Sequence, residues 1–203
     1  GLEKASINRG DMIARENTLI PSYMVDLELH YLASNRKPMK NRTQVRFHTG
    51  SSESMGNLIL LDRDELFPGD DCPAQIRLDE PVSLIRDDRF VLRSYSPVRT
   101  IGGGKVLNPI PVKPKRFHQD IVDGLNSLVD ATPEDIIGYQ AQMSGPSGVT
   151  FAELLLMTNL PEKALSTTIG GLLNNQTLVL VDKETRTTIH HSVFDQLKTL
   201  STD

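Results

Sequence analysis

Hydrophobic and polar residues alternate in several short segments of the first 108 residues. A period of two is typical of β-strands that bury one face and expose the other. The alternating segments are 25–31, 45–47, 74–78 and 90–92. Turn-forming residues separate them, notably Pro68-Gly69-Asp70. Several short strands with no helical period between them predict an antiparallel β-barrel.

From residue 118 onwards the hydrophobic period becomes helical. Ile121, Leu125 and Leu128 recur at helical spacing, and Thr132 followed by Pro133 is typical of a helix start. Two further helices are predicted at 151–157 and 164–173, then strands at 178–180 and 187–189, and a closing helix at 193–200. Helix, turn, helix and hairpin in this order predict an α+β winged-helix domain.

A proline-rich segment separates the two patterns. Residues 109–117 contain Pro109, Pro111 and Pro114 together with three Lys or Arg residues. Each proline fixes the backbone and removes a hydrogen-bond donor, which favours an extended linker. We therefore predict a multi-domain chain with a barrel over 20–108, a linker over 109–117 and a winged-helix domain over 118–203.

Charge is distributed unevenly between the two halves. Residues 1–117 carry 18 Lys and Arg against 15 Asp and Glu, whereas residues 118–203 carry 4 against 11. The first half can lie against phosphates, while the second repels a polyanion. No apolar run is long enough to span a bilayer, and the single Cys72 excludes an internal disulfide and suits a reducing compartment. We expect a cytoplasmic protein that does not bind membranes.

Four ordered motifs in the barrel half resemble the third domain of elongation factor Tu and its relatives. They are the Pro-Gly-Asp turn at 68–70, the Pro-Val pair at 81–82, the Arg-Phe-Val-Leu-Arg strand at 89–93 and the Arg-Thr-Ile-Gly-Gly-Gly strand at 99–104. Residues 7–14 resemble the turn that ends the second barrel of these factors. The resemblance implies that residues 1–19 are the C-terminal end of a truncated second β-barrel domain.

The segment that joins the barrel to the winged helix resembles one branch of this family. Gly-Gly-Gly-Lys-Val-Leu-Asn-Pro at 102–109 and Pro-x-Lys-x-Lys-Arg-Phe at 111–117 are similar to the bacterial selenocysteine-specific elongation factors. The resemblance implies selenocysteinyl-tRNA and the ribosome as partners, with the first winged helix as a spacer. It also implies that winged helices beyond this chain bind the selenoprotein mRNA hairpin, and that GTP and Mg²⁺ bind a domain absent here. We expect a monomer.

Candidate tRNA contacts follow from the same resemblance. The candidates are Arg46, His48, Thr49, Arg93, Ser94 and Arg99. The first three occupy the strand where Tu-like factors present Arg-Thr-Thr to the T stem of tRNA, although His48 replaces the Arg. The other three flank a second contact region, where Ser-Tyr-Ser-Pro at 94–97 replaces the family's Arg-Glu-Gly-Gly loop. Such residues contact phosphates and 2′-hydroxyls rather than bases.

The sequence indicates no catalytic, cofactor or metal site. The glycines of 102–105 lack the spacing and the hydroxyl of a phosphate-binding loop, which predicts a barrel strand. The five histidines show no zinc spacing with Cys72. Two alternatives stay open: another Tu-like translation GTPase, and a winged-helix transcription regulator that binds DNA. The regulator would need a basic reading helix, whereas Lys163 is the only Lys or Arg in residues 161–174.

Overall fold

The computed structural model describes residues 9–14, 18–111 and 117–200. The chain divides into two compact units, Gly1–Asn126 and Ser127–Asp203. Within the predicted second-barrel end, residues 1–8 and 15–17 lie outside the described residues, and Arg9 and Gly10 form a turn. The basic core of the predicted linker, residues 112–116, also lies outside them. No helix in the described ranges is long and apolar enough to cross a membrane.

The first unit contains a closed six-stranded antiparallel barrel, which confirms the predicted architecture. Its strands are ordered β1-β6-β4-β3-β7-β8, and β8 pairs again with β1. A separate two-stranded sheet pairs β2 with β5. The strands are β1 (Ser22–Tyr31), β2 (Met39–Lys40), β3 (Thr43–Thr49), β4 (Ser52–Leu60), β5 (Glu65–Leu66), β6 (Asp71–Val82), β7 (Arg89–Ser94) and β8 (Thr100–Asn108).

Alternating residues of the strands fill the barrel interior. Val25, Leu27 and Leu29 of β1 are fully buried, and the rings of Phe47 and Phe90 stack with their centroids 5.3 Å apart. Apolar packing of this kind supplies the main driving force for folding. The four strands indicated by alternation lie in β1, β3, β6 and β7.

Strand β4 was not indicated by the sequence pattern. Its first half is polar, and Leu58, Ile59 and Leu60 are all buried, so its second half does not alternate. Leu58 and Leu60 belong to the barrel core, whereas Ile59 is buried on the outer face of the strand. Burial on both faces removes the period of two on which the prediction depends.

The glycines at 102–104 let β8 lie very close to both neighbouring strands. A Cβ atom on Gly104 would lie 1.9 Å from the carbonyl oxygen of Glu28 in β1. On Gly103 it would lie 2.8 Å from the carbonyl oxygen of Phe90 in β7. These glycines therefore belong to a barrel strand and allow close backbone approach, as predicted.

A buried polar pair lies on the outer face of the same barrel. Gln75 Nε2 donates to Asp26 Oδ1 at 2.9 Å, and both side chains are buried. Burial raises the pKa of Asp26 to about 7, and the hydrogen bond from Gln75 opposes part of this shift. Arg77 Nε donates to Gln75 Oε1 at 3.4 Å, so the Gln75 amide links Asp26 to a guanidinium.

Helices dominate the chain after the barrel. Helix α1 begins in the first unit, and the remaining elements form the second. The elements are α1 (Gln119–Ser127), α2 (Pro133–Met143), α3 (Phe151–Thr158), α4 (Glu162–Asn174), β9 (Leu178–Asp182), β10 (Thr187–His190) and α5 (His191–Leu200). Strands β9 and β10 pair antiparallel.

Local sequence signals set the helix boundaries of the second unit. Thr132 and Thr150 accept hydrogen bonds from the N3 amides of α2 and α3, and in each case the N3 carboxylate bonds back to the cap residue. These capping boxes confirm the predicted helix starts. Asn159, with φ of 54°, ends α3 in a left-handed conformation. The structure thus shows α and β elements after the barrel, and their assignment as a winged helix stays a prediction.

Replacing Gly104 by Ala tests the close approach of β8. We expect Gly104→Ala to destabilise the barrel by about 1–3 kcal/mol, because backbone atoms must move to admit the methyl group. Gly170→Ala is the matched control, since a Cβ there meets no atom within 4 Å in helix α4. The control should be neutral or stabilising by up to about 1 kcal/mol. The stability of both variants is measured by urea unfolding and by hydrogen exchange of the β1 and β8 amides. Unchanged stability and exchange in Gly104→Ala would contradict the close approach of β8 to β1.

Replacing Asp26 by Asn tests the buried carboxyl. A folded-state pKa of about 7 lies above the ordinary value of 3.8 for an Asp carboxyl, so the wild-type barrel loses stability as pH rises between those values. Asp26→Asn keeps an oxygen acceptor for Gln75 and removes the titration. We expect the variant to be more stable than wild type above pH 7, on the order of 1–4 kcal/mol, with little difference at pH 4. Parallel profiles of unfolding free energy against pH would refute the assignment.

Candidate nucleic-acid interface

Three of the predicted contacts lie together on the outer surface of the barrel. Arg46 of β3 is directly opposite Arg93 of β7, and His48 of β3 is directly opposite Glu53 of β4. Because alternate residues of a strand point to the same side, Arg46 and His48 share one surface. We call Arg46, His48, Glu53 and Arg93 the β3 face.

Glu53 organises the β3 face. Arg46 Nη1 donates to Glu53 Oε1 at 2.5 Å, and His48 Nδ1 lies 3.9 Å from Glu53 Oε2. The hydrogen bond from Arg46 lowers the pKa of Glu53, and the nearby charges of His48, Arg46 and Arg93 lower that pKa further. Glu53 is therefore ionised at neutral pH and balances one of the two guanidinium charges.

Arg93 differs from Arg46 in that its guanidinium forms no ion pair with the residues that the structure describes, although its charge acts on Glu53. Its side chain is exposed, and it makes no hydrogen bond or ion pair with the residues that the structure describes. An exposed guanidinium without a partner can bind a phosphate through several donors at once. Arg93 is therefore the cation of the β3 face best placed to meet an RNA backbone.

Ser94 and Arg99 shape the loop between β7 and β8. Ser94 Oγ donates to the Pro97 carbonyl at 2.5 Å and accepts from the Arg99 amide at 3.2 Å. The Ser94 amide also donates to the Arg99 carbonyl at 2.9 Å. The Ser94 hydroxyl thus holds the loop together, and the Arg99 side chain stays exposed at its end.

Arg99 and Thr49 make their recorded contacts with residues outside the β3 face. Burial raises the pKa of Tyr31 and the charge of Arg99 opposes this shift, which puts Arg99 near Tyr31 in β1. Thr49 lies at the end of β3, where its Oγ1 donates to the Arg89 carbonyl at 3.4 Å. The structure therefore brings together Arg46, His48 and Arg93, but not all six predicted residues.

Sequence reasoning missed Glu53 as part of this surface. Its signal was the turn-like Thr-Gly-Ser-Ser run at 49–52, which the structure shows as a hairpin that pairs Thr49 with Ser52 and thereby His48 with Glu53. Recognising that hairpin would have placed the carboxylate beside the predicted cations.

Other chemistry-bearing residues serve the fold. Lys105, which follows the three glycines, lies 3.3 Å from Glu28 across the β1–β8 pair. Burial raises the pKa of the Cys72 thiol to about 12, so it stays protonated. Among the residues that the structure describes, no three His, Cys, Asp or Glu side chains group to hold a metal ion.

The second unit offers few cations at the surface expected to read DNA. Helix α4 carries Lys163 as its single Lys or Arg. The guanidinium of Arg186 lies 3.8 Å from the centroid of the Phe151 ring, and its Nη2 donates to Ser166 Oγ at 3.2 Å. Arg186 is thus engaged within its own unit. This disfavours the phosphate contacts that a DNA-binding winged helix needs.

Comparison with known proteins adds an independent finding. Residues 26–113 match the family described as selenocysteine-specific elongation factor, beta-barrel domain. The chain is 37% identical over 197 residues to the selenocysteine-specific elongation factor of Desulfomicrobium baculatum, covering 97% of this chain and 31% of that protein. It is 27% identical over 157 residues to the factor of the same name from Haemophilus influenzae, covering 77% of this chain and 24% of that protein. The chain therefore spans between a quarter and a third of the length of these relatives.

A pH titration of Glu53 tests the electrostatics of the β3 face. We expect its pKa to lie below the ordinary value for Glu and to rise in Arg46→Ala, which removes the principal cause of the shift. The sign follows from linkage: the lowered pKa contributes stability at neutral pH that is lost as pH falls through the folded-state pKa. Carboxyl-detected NMR measures both proteins. Asp182 is an internal control, because hydrogen bonds from Thr185 lower its pKa in the other unit. A Glu53 pKa unmoved by the substitution would rule out the pairing.

Proposed function

The chain belongs to the selenocysteine-specific elongation factor family, and we propose that its barrel contributes to the binding of selenocysteinyl-tRNA. The β3 face would contact phosphates of the duplex part of the tRNA, with Arg93 as the principal contact and Arg46 and His48 beside it. The relatives carry this amino acid in their name, which supports the choice of tRNA.

The position of Arg93 opposite Arg46 is the observation that carries this proposal. Their strands are hydrogen-bonded neighbours, so the backbone register places the two residues directly opposite each other. Two arginines that share one surface offer several donors to the phosphates of an RNA backbone. The surplus of basic residues in 1–117 adds a general attraction for a polyanion.

We further propose that the second unit is a winged helix that serves as a spacer. Residues 118–203 hold 11 acidic residues against 4 basic ones, and Arg186 is occupied by Phe151 and Ser166. Such a surface does not compete with the barrel for RNA. Binding of the selenoprotein mRNA hairpin, and of GTP and Mg²⁺, would belong to parts of the factor outside this chain. The ribosome is the expected site of action, in the cytoplasm.

Two alternatives are less well supported. Another Tu-like translation GTPase would share the barrel but would not discriminate between selenocysteine and elongator tRNAs. A winged-helix regulator that binds DNA would need a basic α4, whereas that helix has Lys163 alone.

Salt-dependent titration with tRNA tests the proposed contact. The chain is titrated with fluorescently labelled selenocysteine tRNA at several salt concentrations, and Arg93→Ala is compared with wild type. Loss of one phosphate contact should weaken binding and reduce the slope of log affinity against log salt by about one. Arg46→Ala should weaken binding at least as much, because Glu53 loses its guanidinium partner and its negative charge then opposes the phosphates more strongly.

Lys163→Ala is the matched control, since it removes one exposed positive charge from α4. We expect its salt slope to equal that of wild type. A reduced slope in this control would move RNA binding to the second unit and overturn the spacer role. Equal affinity for an elongator tRNA would favour the general translation factor, and an unchanged slope in Arg93→Ala would remove the β3 face as the binding surface.

A further inference from the structure

Tyr95 is an aromatic side chain exposed at the edge of the proposed RNA-binding surface. It lies in the loop between β7 and β8 with 57% of its surface exposed, and Val98 in the same loop is 54% exposed. Neither side chain belongs to the barrel core or to the four residues of the β3 face. Exposed aromatic rings among cations are typical of surfaces on which nucleic-acid bases stack.

The loop holds Tyr95 in a defined position. Ser94 bonds to Pro97 and Arg99 through its hydroxyl, and the Ser94 amide closes the loop by donating to Arg99. These contacts tie both ends of the segment that carries the ring. A ring held in place before binding loses little conformational freedom when a ligand packs against it.

One arginine of the β3 face lies beside this ring. The guanidinium carbon of Arg46 lies 5.8 Å from the centroid of the Tyr95 ring, within cation–π range. Arg93 is exposed two residues before Tyr95, and Arg99 is exposed four residues after it. A base that reaches the ring therefore lies beside the positive charge of Arg46. This charge distribution fits a nucleotide better than an apolar peptide.

We propose that Tyr95 stacks on a base of the bound RNA that lies outside the paired helix. With Arg46 on one side of the ring, the base packs on the other side. Bases inside an A-form duplex are stacked on their neighbours, so a ring on a loop reaches only a base in a loop, a bulge or a helix end. The inference rests on the proposed function, because it assigns a second type of contact to the same RNA-binding surface.

The absence of tryptophan from this chain allows a direct optical test. Tyr95→Trp introduces one indole at the proposed stacking position. The variant is titrated at low salt with an RNA hairpin and with the same hairpin whose loop nucleotides are abasic. Both probes have the same phosphates and differ only in the loop bases. We expect the intact hairpin to quench the indole fluorescence strongly, and the abasic hairpin to bind with little quenching.

Affinity measurements with substituted tyrosines provide the second arm. Wild type should bind the intact hairpin about 5- to 100-fold more tightly than the abasic one, and Tyr95→Phe should preserve this ratio. Tyr95→Leu should bring the ratio close to one. Tyr23→Leu is the matched control, because Tyr23 in β1 has nearly the same exposure, 58%, and should leave the ratio unchanged.

The outcomes separate the inference from the proposal on which it rests. Binding of both hairpins with the same affinity, together with an unquenched indole, would overturn base stacking while leaving phosphate binding by the β3 face intact. Loss of preference in Tyr23→Leu as well as Tyr95→Leu would reduce the effect to general destabilisation and also overturn the inference. Failure of wild type to bind either hairpin or tRNA would refute the proposed function itself.

Discussion

The close approach of β8 to its two neighbouring strands is the constraint on which the barrel depends. Glycines at 102–104 remove the side chains that would collide with the carbonyl groups of β1 and β7. Strand β8 therefore pairs on both sides and closes the sheet, so that no edge strand of the six is left open. Closure also fixes the start of the β7–β8 loop. The positions of Arg93 and Tyr95 thus depend on glycines that have no side chain to contact a ligand.

Electrostatic balance on the β3 face limits how tightly this surface alone can hold RNA. The exposed Arg46–Glu53 pair adds little to stability, because water screens it. Its larger effect is to orient Arg46 and to cancel part of the local positive charge. A phosphate must compete with Glu53 for Arg46, whereas Arg93 has no ion pair to give up among the residues that the structure describes. Affinity then rises only where further contacts are made at the same time, which agrees with a barrel that is one part of a larger RNA-binding surface.

The sequence predicted those parts of the fold that leave a periodic or stereochemical signal. Alternation identified four barrel strands, and Thr132 with Pro133 marked the start of α2, which the structure confirms. Strand β4 was missed because Ile59 is buried on the face where alternation requires a polar residue. The hydrophobic pattern also does not predict which side chains meet across neighbouring strands. The ion pair between Glu53 and Arg46 depends on the register of β3 and β4. The burial of Asp26 is another case, because alternation predicts an exposed side chain there.

Charge separation between the two units has a consequence for selectivity. In the proposed function, the acidic residues of 118–203 would repel any RNA according to its charge rather than to its sequence or shape. At physiological salt such repulsion is screened beyond a Debye length of roughly 8 Å, so it would act only on phosphates that come close to these residues. An RNA that places phosphates on Arg93 gains contacts at short range, where geometry decides their strength. Weak general attraction combined with a few fixed contacts therefore favours discrimination over raw affinity.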